Sequence, residues 1–136
     1  MSEAPKKTVV ETPQATIHIT PEGIIIADIH TGHQNLEEAR REHQGVLELL
    51  EEGQRAPVLV RLGRLAGQTR EARLFWVESK ETEATFTRMA LRVSSPVTRV
   101  LASVFMNVKR PRVPVRVFDQ DEPALAWLAE ALPNRD

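Results

Sequence analysis

From Ala15 onward the chain alternates short β-branched runs with stretches whose apolar residues recur every three or four positions. Residues 16–20 and 24–30 read as strands joined by the turn Pro21-Glu22-Gly23, an antiparallel hairpin. Asn35, with Glu38 three residues on, is a capping box opening a helix. Leu36, Ala39, His43, Val46, Leu47 and Leu50 form the apolar stripe of that helix. Glu37, Glu38, Arg40, Arg41, Glu42 and Glu48 are assigned to its solvent side, and Gly53 ends it. Residues 57–62 are a nearly all-apolar strand, as in the centre of a parallel sheet. A loop over 63–68 leads to Thr69, the cap of a helix that packs Ala72, Phe75 and Trp76. Residues 81–87 continue that helix after a bend. Residues 89–93 form a fourth strand. Ser95-Pro96 starts a helix over 97–108 that is apolar on most of its circumference. Residues 113–118 are a fifth strand. Asp119 and Glu122 cap a last helix with a stripe of Leu125, Leu128, Ala129 and Leu132, which Pro133 stops.

The order β-β-α-β-α-β-α-β-α predicts one α/β domain: a five-stranded, mostly parallel (mixed) sheet, opened by an antiparallel hairpin, with four helices packed on it. Its expected extent is 16–133. Residues 1–15 are expected to be a flexible tail, and 134–136 a second one.

Composition narrows the chemistry. With 136 residues, 41% hydrophobic and 27% charged, the chain suits one globular domain. It has no cysteine, so disulfides, thiolate metal sites and cysteine nucleophiles are excluded. No apolar run approaches the roughly 18 residues of a membrane span, and the start lacks a signal-peptide core, so a soluble cytoplasmic protein is expected. The formal net charge of −1 conceals segregation. Residues 1–54 carry four Lys/Arg against ten Asp/Glu, residues 55–116 carry thirteen against four, and residues 117–136 one against five. Such blocks either build a partner-steering field or neutralise one another across the folded surface.

Several segments together resemble the STAS-domain superfamily, in particular its small stand-alone SpoIIAA-like bacterial members. They are Gly23-Ile24-Ile25-Ile26, Asn35-Leu36-Glu37-Glu38-Ala39, Pro57-Val58-Leu59-Val60, Thr69-Arg70-Glu71-Ala72-Arg73, Met89-Ala90-Leu91-Arg92-Val93-Ser94-Ser95-Pro96, Pro114-Val115-Arg116-Val117-Phe118 and Ala124-Leu125-Ala126-Trp127-Leu128. The resemblance implies a STAS/SpoIIAA-like fold and a regulatory, protein-interaction role without enzymatic activity. It also implies a phosphorylated Ser or Thr at the start of the helix after the third strand. The aligned residue is Thr69, within Ala66-Gly67-Gln68-Thr69-Arg70, where the family's Asp-Ser-Ser/Thr-Gly signature is replaced. A small apolar or lipid-like ligand is the other role that the resemblance suggests.

Three features are candidate sites. Thr69, with Arg70 and Arg73 within a turn of it, is either an anion or phospho-switch site or a plain N-cap. Val97, Val100, Leu101, Val104, Phe105, Met106 and Val108, followed by Lys109, Arg110 and Arg112, suit a partner or homodimer surface with a basic edge; the alternative is a covered core helix. Arg88, Arg92, Arg99 and Arg116 extend that basic set into an anion-binding face, or else pair with the acidic first and last helices. Aromatic interleaving is too sparse for dedicated nucleic-acid binding. His30, His33 and His43 are read as packing and surface residues rather than metal ligands, and Asp28 with His30 lacks a nucleophile to serve. No cofactor is expected. The expected function is recognition of a protein partner through the apolar helix and basic turn. Carriage of a small apolar or anionic lipid is the alternative.

Overall fold

A computed structural model of the chain describes residues 7–30, 32–107 and 111–133. The hairpin is present: β2 (Ala15–Ile19) pairs antiparallel with β3 (Ile25–Ile29), Ile17 opposite Ala27. β5 (Ala56–Arg61), β7 (Phe86–Arg92) and β8 (Val115–Phe118) then add in parallel beside β3. β1 (Val9–Glu11) completes a six-stranded sheet of order β1-β2-β3-β5-β7-β8. β4 (His33–Gln34) and β6 (Gly67–Gln68) form a separate two-residue parallel ladder.

The helices are α1 (Leu36–Leu47), α2 (Arg70–Glu78), α3 (Lys80–Thr85), α4 (Pro96–Met106) and α5 (Asp121–Ala129). Both strong start signals act as the sequence predicts. The Asn35 side chain accepts from Glu38 N at 2.9 Å, and the Glu38 carboxylate accepts from Asn35 N at 2.9 Å. Ser95 caps α4, with Pro96 in its first turn.

The sheet separates two cores. On one face Ile25, Ala27, Val58, Met89 and Leu91 meet α1, α2 and α4. On the other, Ile26, Leu59 and Ala90 meet Ala124 and Leu128 of α5. β5 is apolar on both faces because it is covered on both, the usual reason for a continuous apolar strand. At its end Gly63 takes φ +52, and a Cβ there would collide with the Ile29 carbonyl oxygen. Only glycine accommodates that approach.

Four expectations are corrected. The supposed flexible tail of residues 1–15 contains β1, registered Val9 to His18 and Val10 to Ile17; Gly45 of α1 leaves the space that Val10 occupies, since a Cβ there would lie 3.1 Å from Val10 Cγ1. The described residues form five helices and six main-sheet strands, not four and five. Ser79 adopts extended backbone and caps α3 by accepting from Thr82 N at 3.1 Å, so the expected bend becomes a break between helices. The next strand therefore begins at Phe86, inside the segment expected to be helical. Finally, α5 is capped at Gln120 without a side-chain cap hydrogen bond, not at Asp119. Its first turn is held instead by Asp121, which accepts from Arg61 Nη2 at 2.8 Å and lies 3.2 Å from Arg92 Nη1.

Candidate functional site: an apolar cavity under helix α4

The helices on the first face leave a cavity between themselves and the sheet. Its floor is small and branched: Ala27 and Ile29 of β3, Val58 and Val60 of β5, Met89 and Leu91 of β7. α4 covers it with Leu101, Ala102 and Phe105. Trp76 of α2 and Phe86 add aromatic walls, and Gln34 and Gln68 bring the small ladder to one side. The space not filled by atoms, open solvent at its mouth included, is about 670 Å³. Small-molecule sites likewise set a few polar groups on mostly apolar walls.

Those polar groups are unequal. The Gln34 carbonyl oxygen accepts from Gln68 Nε2 at 2.8 Å and from Trp76 Nε1 at 2.9 Å. This closes the Trp indole on the wall and fixes the amide's orientation. Glu42 is different. It lines the cavity from α1 and is only 4% exposed. A Thr12 hydroxyl donates to its Oε2 at a long 3.4 Å, and among the described residues no Lys, Arg or His lines the cavity. Burial, countered in part by Thr12 and reinforced by the charge of Glu38, raises its pKa from an ordinary 4.5 to about 7.

Sequence reasoning placed Glu42 on the solvent side of α1 because of its residue type. Its spacing pointed inward: Glu42 is three residues after Ala39 and four before Val46, which share the buried face. Its neighbour His43 is also buried, and its Nε2 meets Thr85 Oγ1 at 2.8 Å. The Thr85 hydroxyl hydrogen goes to Glu81 O at 2.8 Å, so His43 Nε2–H is the donor. Burial lowers the His43 pKa, opposed in part by Glu81.

The sequence-predicted sites are spread around this cavity. In α4, the expected single stripe is divided. Phe105 is buried and Leu101 half-buried, both inward, whereas Val97, Val100, Val104 and Met106 are 54%, 63%, 39% and 45% exposed. Val97, Val100 and Val104 follow helical spacing and share the outer face. Val108, Lys109 and Arg110 lie outside the described residues. Arg112 is anchored by donating to Glu78 O at 2.7 Å, with Glu83 Oε1 at 3.3 Å from Nη1.

Thr69 is the exposed N-cap of α2, its Oγ1 accepting from Ala72 N at 3.1 Å. Its N–H donates to Gln34 O, so the cap adjoins the ladder beside the cavity. Among the described residues, Arg70 and Arg73 make no ion pair. Thr69→Ala is expected to cost about 0.5–2 kcal/mol in urea unfolding, and Thr69→Ser close to nothing, from loss or retention of the capping oxygen.

The arginine block does not form one free face. Arg88 donates to Trp127 O at 2.6 Å and Glu130 at 3.1 Å. Arg116 lies over the Trp127 ring, and Arg61 bridges Asp28 to Asp121. The basic middle block and the acidic last helix thus meet on the α5 side of the sheet. Asp28 is committed to Arg61, and His30 Nε2 lies 3.3 Å from Thr16 Oγ1. Among the described residues no three His, Asp or Glu side chains gather in metal-binding geometry. Nor is any described helix long and apolar enough to cross a membrane.

The antiparallel hairpin leading into parallel strands, with helices distributed unequally on the two faces, is a SpoIIAA-like fold. It is shared with an uncharacterized protein of the DUF3478 family from Shewanella loihica PV-4, whose crystal structure has a SpoIIAA-like fold; the two align with a TM-score of 0.57 at 16% identity, over 94% of this chain and 98% of that one. The chain itself belongs to the family described as domain of unknown function DUF7793, whose model matches residues 17–132. No curated protein matches it.

Proposed function

We propose that the domain is a non-enzymatic STAS-type binding module whose working element is α4. The observation that carries this reading is the two-sidedness of that helix. Its inner residues Leu101, Ala102 and Phe105 cover the cavity, while Val97, Val100, Val104 and Met106 face outward. The outward valine row suits a protein partner or a second copy of the chain, because exposed apolar rows on short helices gain by being covered. The cavity supports the companion role, seating a small and mostly apolar molecule beneath the same helix. A bound molecule and a bound partner would then act on opposite sides of one element.

Light scattering at high micromolar concentration tests the outer face. The wild-type protein is expected to form dimers. Val100→Glu is expected to be monomeric with unchanged thermal stability, since residue 100 is largely exposed. A wild-type protein that stays monomeric, or a Val100→Glu variant that still dimerises, overturns self-association through this face. Native mass spectrometry with organic extraction tests the inner face: a co-purifying apolar molecule supports it, and an empty cavity under native conditions counts against it.

A further inference from the structure

We infer that the cavity is selective for an apolar amine, a molecule with a hydrocarbon body and one protonated nitrogen that pairs with the Glu42 carboxylate. This rests on the ligand-binding half of the proposal above and names its chemical class.

The argument is one of charge and compensation. Glu42 occupies a core position of α1, is 4% exposed and, among the described residues, is the one ionisable side chain lining the cavity. The groups presented to that space from each packed element are uncharged. The β1–β2 connection brings Thr12, α2 brings Trp76, α4 brings Leu101, Ala102 and Phe105, and the strands bring aliphatic residues. The charge that acts on Glu42 from its own helix is Glu38, which is of like sign. A buried carboxylate is normally matched by a cation or by several donors. Here the chain supplies one long hydroxyl contact. An ammonium group supplied by a ligand would complete the site with a charge-assisted hydrogen bond in a low-dielectric setting. The rest of the cavity is hydrocarbon and aromatic, which suits an alkyl or aryl body. Trp76 adds an aromatic ring to the wall, a group to which cations are attracted.

The same inventory disfavours an anionic lipid head. A carboxylate or phosphate placed here would meet Glu42 and, among the described residues, find no arginine, lysine or histidine on the lining. A neutral alcohol would fit but would leave the Glu42 charge uncompensated.

Three probes with one hydrocarbon body and different heads separate these cases: octylamine, octanol and octanoate, titrated by calorimetry into the full chain at pH 8. Octylamine is expected to bind about tenfold tighter than octanol or better, with octanoate weakest. Glu42→Gln is expected to reduce octylamine to the affinity of octanol while leaving octanol unchanged. Octanol or octanoate binding as tightly as octylamine would overturn the amine assignment while leaving the cavity a ligand site. Absence of binding by all three would overturn the assignment together with the ligand reading beneath it. The wild-type series decides without any variant, and the melting curve of Glu42→Gln establishes that the variant is folded.

Discussion

Glu42→Gln is expected to stabilise the ligand-free protein by about 3 kcal/mol at pH 8 and by almost nothing at pH 4. The direction follows from the raised pKa. The folded protein holds the Glu42 proton up to about pH 7, whereas an unfolded chain releases it near 4.5. Below 4.5 the acid is protonated in both states and no pH-dependent penalty exists. Between 4.5 and 7 the unfolded state loses its proton first, so wild-type stability falls as pH rises. Above 7 the full penalty is present. A separation of that width corresponds to about 3 kcal/mol at 1.36 kcal/mol per pKa unit. Glutamine keeps the shape of the protonated acid and cannot ionise, so the variant escapes the penalty. Urea unfolding of both proteins across pH 4–8 measures the difference directly. Other titrating groups cancel in it. Asp121, for example, has a pKa lowered chiefly by its hydrogen bond from Arg61, and its stabilising contribution is lost on acidification in both proteins alike. A stability difference that does not change between pH 4 and 8 would show that Glu42 is not an uncompensated buried acid. Saturating octylamine should shrink the gap at pH 8, because a ligand that binds only the folded wild type with preference adds stability by mass action.

That residue also marks where the sequence stops being legible. Two features set by neighbouring residues are legible. The Asn35–Glu38 capping box and the Ser95-Pro96 start are local chemistry, and each sits where the pattern put it. The parallel order beyond the hairpin followed from alternating strand and helix signals, because strands joined through helices run parallel. Features set by distant partners were not visible. Val9–Glu11 is only three residues long and is ordered by pairing with β2 and by the gap over Gly45. The pattern of α4 identified a helix that is apolar nearly all round. It did not reveal that Leu101 and Phe105 turn inward while Val97, Val100 and Val104 turn out, because an apolar helix has no polar face to orient it. The charge blocks left a free basic face and pairing with the acidic helices both open; Arg61 and Arg92 pair, reaching Asp121 from different strands. Glu42 was misplaced for the opposite reason. Its spacing was informative and its residue type misled, since glutamates are rarely buried without a partner.

Phe86→Ala is expected to cost about 3–5 kcal/mol, the largest loss foreseen for any single substitution considered. Phe86 is 1% exposed, opens β7 and lines the cavity. Its ring stands 6.3 Å from both His43 and Trp76, so it links the buried histidine to the indole wall. Its carbonyl accepts from Arg55 Nη2 at 2.8 Å, a backbone contact that alanine retains. The loss therefore reports the ring alone. Removing it sacrifices the transfer free energy of a large aromatic and enlarges a space that neighbours already fail to fill, so collapse offers little recovery. Phe86→Leu, which keeps most of the volume, should cost less than about 1.5 kcal/mol. Urea unfolding with an unchanged slope distinguishes this from a change in the denatured state. The cavity makes a further outcome specific. Phenethylamine, which carries both a ring and an ammonium group, should restore part of the lost stability to Phe86→Ala, and octylamine should restore less. Equal rescue by the two amines would show that the vacated space does not join the cavity. A cost below about 1 kcal/mol would place Phe86 outside the core that holds the sheet to α1 and α2.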